Sequence, residues 1–145
     1  MIREATANDL GGIAALSARR HARVQGALRE LSPAFTDPAV VRAALPAEPR
    51  GWVFVDDDEI TASLLWEERE GRAIAGFIGA VGAPEAMARL YAVAGGAWLA
   101  AGLATHAFVV PTVDRPLADR LIDLSFGREE AYAVRPCLLY TSPSP

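Results

Sequence analysis

The chain of 145 residues contains no lysine: all 14 of its basic residues are arginine. With the abundance of alanine, this indicates a GC-rich bacterial coding sequence and carries no mechanistic weight. Cysteine is nearly absent. The single Cys137 excludes an internal disulfide. The two histidines, His21 and His106, lie 85 residues apart with no cysteine partner, which excludes a zinc-type ligand spacing. Positive charge is in deficit. At a net charge of −4 and a pI near 5.2, nothing concentrates cations for a nucleic-acid backbone. The N-terminus lacks the charged-then-apolar order of a signal peptide, because Arg3, Glu4, Asn8 and Asp9 interrupt it. A cytoplasmic setting is therefore the expectation. Repeats and long linkers are missing too, so one domain is expected.

What is present is apolar material, at 52% of the chain, enough for a substantial core. Residues 90–113 carry no formal charge and match the length of a bilayer span. Their composition is mostly alanine and glycine, and Gly102, Thr105 and Pro111 punctuate them. A buried helix followed by a buried strand is the expectation, and no membrane partner.

The periodicities predict the order β-α-α-β-β-β-α-β-α-β. A strand over residues 2–5 leads to a helix over 10–28, capped by Asn8 or Asp9, with Leu10, Ile13, Ala14, Leu16 and Ser17 at helical spacing. Arg19, Arg20, Arg23 and Arg29 form a row on that helix, expected to be a solvated face. His21, on the same helix, is expected in solvent. Asp37 should cap a short helix over 38–45 with Pro38 in its first turn. Strands follow over 52–55 and 60–66, joined by the acidic turn Asp56, Asp57 and Asp58. A charged turn over 67–71 leads to a third strand over 72–81, whose apolar run calls for cover on both faces. A helix over 84–101, a strand over 105–110, a helix over 115–124 and a strand over 129–135 complete the order. The fold class is α+β: an antiparallel first half, then a β-α-β unit that calls for a parallel pair. Where pairing changes sense, neighbouring strands can part and leave room for a small ligand.

Two segments carry a family resemblance. Residues 114–134, from Asp114-Arg115-Pro116-Leu117-Ala118 through Leu121 and Ser125-Phe126-Gly127 into a strand, resemble the closing signature of GNAT N-acetyltransferases, N-x-x-A-x-x-L-Y-x-x-x-G-F. Ile2-Arg3-Glu4-Ala5 with Asp9-Leu10 resembles the family's opening frame. With the element order, the resemblance spans about residues 1–135. It implies a GNAT-like mixed sheet with helices on both faces, acetyl-CoA as cofactor and a small amine as acyl acceptor. It also implies that backbone groups of Val81, Gly82 and Ala83 meet the cofactor diphosphate at a helix N-terminus.

Within that frame the chain departs from the family pattern. The loop Val81-Gly82-Ala83-Pro84-Glu85 has one glycine, no leading Arg or Gln, and a proline without a donor. Glu85 would oppose a phosphate by about 4 kcal/mol at about 4 Å and an effective dielectric of about 20. Leu121 stands at the tyrosine position and cannot give a proton, so no catalytic residue is assigned. These departures suggest a degenerate half that supports a second GNAT domain of the same protein. The alternatives are an active single-domain N-acetyltransferase with an unorthodox loop and a non-enzymatic small-ligand module. The domain is assigned to residues 1–136. Residues 137–145 resemble the in-frame translation of a sequencing adapter and are expected to be foreign to the domain.

Among other candidates, His106 is expected to be a satisfied core histidine. Asp56, Asp57 and Asp58 read as a plain acidic turn rather than a cation loop. Glu67 and Glu68 read as a solvated hairpin end, and Trp66 and Trp98 as packing residues.

Overall fold

The computed structural model describes residues 1–129. Among the described residues five strands form one sheet in the order β1-β2-β3-β4-β5: β1 Ile2–Glu4, β2 Gly51–Asp56, β3 Glu59–Arg69, β4 Arg72–Gly82 and β5 Thr105–Phe108. Pairing is antiparallel from β1 to β4 and parallel between β4 and β5. Four α-helices accompany it: α1 Leu10–Ala27, α2 Pro38–Ala44, α3 Pro84–Ala100 and α4 Arg115–Asp123. The expected order and the α+β class hold through α4. The strand expected over 129–135 and the tail over 137–145 lie outside the described residues, except for Glu129.

Alternation along β3 divides the core into two layers. Ala62 and Leu64 pack with Met87, Leu90, Ala94 and Trp98 of α3 and with Leu117 and Leu121 of α4. Leu65 and Val53 face the other way, against Leu10, Ile13, Ala14 and Ala18 of α1, Val41 of α2 and Leu45 just after it. A period of two in the strand thus meets apolar stripes of helical period from opposite sides. Trp98 is fully buried and meets Trp66 edge-on at 5.4 Å between ring centroids. None of the described helices is long and apolar enough to cross a membrane; the uncharged run is divided between α3 and β5, as expected.

Local chemistry accounts for the connections. Asp57 and Asp58 take φ of 46° and 62° and form the two-residue turn from β2 to β3, a conformation to which aspartate is well suited. The expected charged turn over 67–71 is shorter than predicted. Glu67, Glu68 and Arg69 continue β3 in register with Ile74, Ala73 and Arg72, so the turn is only Glu70-Gly71. Their side chains are exposed, which lets the backbone join the ladder while the charge stays in water.

Asp37 caps α2 as expected, its Oδ1 accepting from the Ala39 amide at 2.9 Å. Asp9 does not cap α1. A 3₁₀ turn, Ala7–Asp9, precedes that helix, and the Asp9 carboxylate reaches back to the Thr6 amide at 2.7 Å and to both Nη atoms of Arg3, each at 2.7 Å.

Candidate functional site

The site begins as a fault in β4. Leu64 pairs with Ala80 and Trp66 with Ala75, so one residue of β3 lies opposite four of β4, Gly76 to Gly79. Such a bulge bends its strand and ends regular pairing. β5 pairs with β4 only from Arg72 to Ala75, with one further bond from the Val109 amide to the Ala75 carbonyl. β5 ends at Phe108, so the rest of β4 has no partner on that side among the described residues. Ser63 holds the bulge through Oγ, which donates to the Gly79 carbonyl at 2.9 Å.

At the end of β4 lies a cleft of about 520 Å³. Its floor is the end of β4 and the turn into α3: Val81, Gly82, Ala83 and Pro84. Arg19, Arg20 and Arg23 of α1 form one wall, and Val113, Asp114 and Pro116, leading into α4, form another. The structure thus brings all three sequence-predicted backbone residues to one cleft. Gly82 has φ of +138°, and a Cβ there would stand 2.3 Å from the Ala62 Cβ. The single glycine of the loop is therefore the one the backbone path requires. Pro84 occupies the first turn of α3, where its missing donor is not needed. No side chain caps that helix, and Glu85 in its first turn is favoured by the dipole.

Glu85 is exposed in the first turn of α3 and is not among the residues that line the cleft. Two expectations fail on α1. Arg19, Arg23 and Arg29 are exposed as predicted, but Arg20 is only 2% exposed. Its guanidinium binds the bulge: Nη1 donates to the Ala80 carbonyl at 2.5 Å, Nη2 donates to the Phe77 carbonyl, and the group lies over the Phe77 ring at 5.0 Å. Nε has no partner. Burial pulls the Arg20 pKa down to about 10; Asp114 opposes that shift and Arg23 adds to it. His21, expected in solvent, is also buried. Its Nε2 donates to the Ser32 carbonyl at 2.8 Å, and its ring packs near Phe35 and Phe77. The spacing of Ile13, Ser17 and Val24 already places positions 20 and 21 on the buried stripe. That stripe is the signal; the chemical type of the residues hides it.

The expectations for His106 as a satisfied histidine and for Glu67 and Glu68 as a solvated hairpin end stand. His106 is satisfied at both nitrogens. The Leu103 carbonyl can only accept, so Nε2 carries the proton at 2.8 Å, and Nδ1 accepts from the Tyr91 hydroxyl at 2.9 Å. Glu67 and Glu68 are exposed, with Glu67 paired to Arg69 at 2.5 Å. Among the described residues no His, Cys, Asp or Glu group is arranged to hold a metal. Leu121 is buried between the helices.

No family model and no curated protein matches the chain. Solved structures do. A point mutant of the BH1408 protein from Bacillus halodurans is similar at 19% identity with a TM-score of 0.68, over 95% of this chain and 99% of that one. A tetramutant of the same protein is similar at 19% identity with a TM-score of 0.61, over 94% and 99%. At that identity the likeness establishes the fold.

Proposed function

We propose that this chain is a coenzyme A thioester-binding domain of the GNAT N-acetyltransferase type, with acetyl-CoA or a related thioester as cofactor and a small amine as acceptor. The observation that carries the reading is the joint presence, in one cleft, of an uncapped helix N-terminus behind Val81, Gly82 and Ala83 and of three α1 arginines. A diphosphate needs close backbone approach and positive charge. Gly82 supplies the first, and Arg19 and Arg23 supply the second from a neighbouring helix rather than from the loop. When bound, the cofactor would provide the activated acyl group. The residues of this chain would hold its phosphates and exclude water from the cleft. A single cysteine fits a cytoplasmic setting.

Calorimetry with acetyl-CoA tests this. Micromolar binding is expected, falling with rising salt. A charge-assisted hydrogen bond contributes about 1.5–3 kcal/mol, so Arg19→Ala and Arg23→Ala should each weaken binding roughly tenfold or more. No binding at millimolar acetyl-CoA would refute the reading.

Leu121 supports a second reading, in which the domain binds cofactor or buttresses a second GNAT domain without turning over. A buried leucine stands where the resemblance calls for a tyrosine proton donor. Thioester loss with a panel of amines separates the two. Binding without turnover favours the supporting role.

A further inference from the structure

We propose that a second cavity, at the end of α2, binds a small primary amine with an apolar body: the body lies among Leu45, Leu65, Ile74 and Ile78, and the ammonium meets the Glu67 carboxylate. The cavity has a volume of about 220 Å³, between the end of α2, β3 and the bulged stretch of β4. It shares no lining residue with the arginine cleft, so the inference goes beyond the coenzyme reading and does not rest on it. Leu65 and Glu67 alternate along β3 onto this cavity, as Ile74, Gly76 and Ile78 do along β4. Its two glycines are there for different reasons. Gly79 is required by packing, since a Cβ there would stand 2.7 Å from the Leu65 Cβ. Gly76 is required by neither backbone nor packing: its φ is not positive, and a Cβ there would meet nothing within 4 Å. A glycine inside a strand weakens it, and one that the fold does not need marks a place where something else comes close.

Size and charge select the ligand. A cavity of about 150 Å³ lined by Leu, Ile and Phe takes a benzene, so 220 Å³ has room for a body of that size with a short aminoalkyl arm. Among the described residues that line the cavity, Glu67 is the one that carries a charge. Its Oε1 accepts from Arg69 at 2.5 Å. A carboxylate accepts at both oxygens, so Oε2 remains for an ammonium. The pair with Arg69 is itself exposed, at 66% and 60% of the two side chains, and a pair of that kind is a weak competitor. A neutral ligand of the same shape would gain the apolar contacts alone, and an anionic one would meet repulsion.

Titration of the full chain at pH 7 and low salt, read by amide chemical shifts, compares phenethylamine, phenethyl alcohol and phenylacetate. The amine is expected to shift the amides lining this cavity and to bind about threefold to fivefold more tightly than the alcohol, the scale of an exposed ion pair. Phenylacetate should bind more weakly than either. Glu67→Gln should bring amine and alcohol within about twofold of each other, and Arg69→Ala should tighten the amine without moving the alcohol. Gly76→Ile fills the cavity and should weaken both by about tenfold or more while the fold, checked by circular dichroism, is kept. If Gly76→Ile does not fold, the two exposed positions, Glu67 and Arg69, carry the test. Equal wild-type affinity for amine and alcohol overturns the proposal. So does a preference that Glu67→Gln preserves, an amine affinity that Arg69→Ala lowers, or binding that a folded Gly76→Ile leaves unchanged. Absence of amine binding where acetyl-CoA binds overturns this inference alone, and amine binding without acetyl-CoA binding overturns the coenzyme reading alone.

Discussion

Replacing Gly82 by alanine should damage fold and site together, and its cost can be built from local geometry. The φ of +138° lies where L-residues are strained, at about 1–3 kcal/mol. The new Cβ would stand 2.3 Å from the Ala62 Cβ, 2.6 Å from the Ala62 Cα and 2.8 Å from the Thr61 carbonyl oxygen. Two of these are backbone atoms of the paired strand, so no rotamer change can relieve the clash. Overpacking a well-filled site costs about 1–3 kcal/mol more. The total of about 2–6 kcal/mol is a large share of the roughly 5–15 kcal/mol that holds a domain together. Urea denaturation followed by circular dichroism would measure it. Gly71→Asn is the matched control: Gly71 also has positive φ, +73°, but a Cβ there meets nothing within 4 Å, and asparagine tolerates that region. That variant should stay within about 1 kcal/mol of the wild type. If Gly82→Ala unfolds within 0.5 kcal/mol of wild type (roughly the spread of a neutral surface change), the described path from β4 into α3 is wrong, and the cleft floor with it.

Two further outcomes concern stability. The Arg3 guanidinium holds the Asp9 carboxyl well below the usual carboxylate range against the opposing effect of burial, helped by the amide and hydroxyl of Thr6. A depressed native pKa means that the folded state binds fewer protons than the unfolded one. Its contribution is therefore full above the unfolded value near 3.9 and is lost as pH falls below it. Asp9→Asn should cost about 1.5–3 kcal/mol at pH 7 and flatten the loss of stability on acidification, read from denaturation midpoints between pH 7 and pH 3. Tyr91→Phe removes the donor to His106 Nδ1 and should cost about 1 kcal/mol while leaving the tilted ring contact with Trp98 and the edge-on contact with Phe126 in place, which near-ultraviolet circular dichroism would check.

Element types were legible because the hydrophobic period states them. Leu10, Ile13, Ala14 and Ser17 announce α1, and the uninterrupted apolar run from Ala73 to Val81 announces a strand covered on both faces. Turn chemistry was legible at Asp57-Asp58, where the residue type suits positive φ. Three things were not. The length of the β3–β4 hairpin was hidden because Glu67, Glu68 and Arg69 are charged yet pair through backbone atoms that the side chains do not report. The four-residue bulge was hidden because it is a mismatch between two strands, a property of register rather than of either segment. Arg20 and His21 were hidden because charge or polarity outweighed their position on a stripe that period alone would have buried. The candidate backbone residues Val81, Gly82 and Ala83 do meet in one cleft. Reading the loop by itself missed the arginines arriving from α1.

On the proposed reading, a cleft of this kind could hold an anion without a glycine-rich loop. Close approach and positive charge are separate requirements, and different parts of the chain can supply them. Gly82 alone meets the steric one, because the path of β4 needs φ of +138° at only that residue of the loop. The electrostatic one is set by distance and dielectric, not by sequence neighbourhood, so arginines one helix away serve as well as one inside the loop. Arg20 ties the two together: the group that brings charge to the wall is also bonded to the carbonyls of the bulge. Proton delivery is a third requirement, and the buried Leu121 does not meet it. On the proposed reading, then, the residues that would hold an anionic thioester differ from those that would turn it over. The first can persist where the second is lost, which is why binding and turnover have to be measured apart.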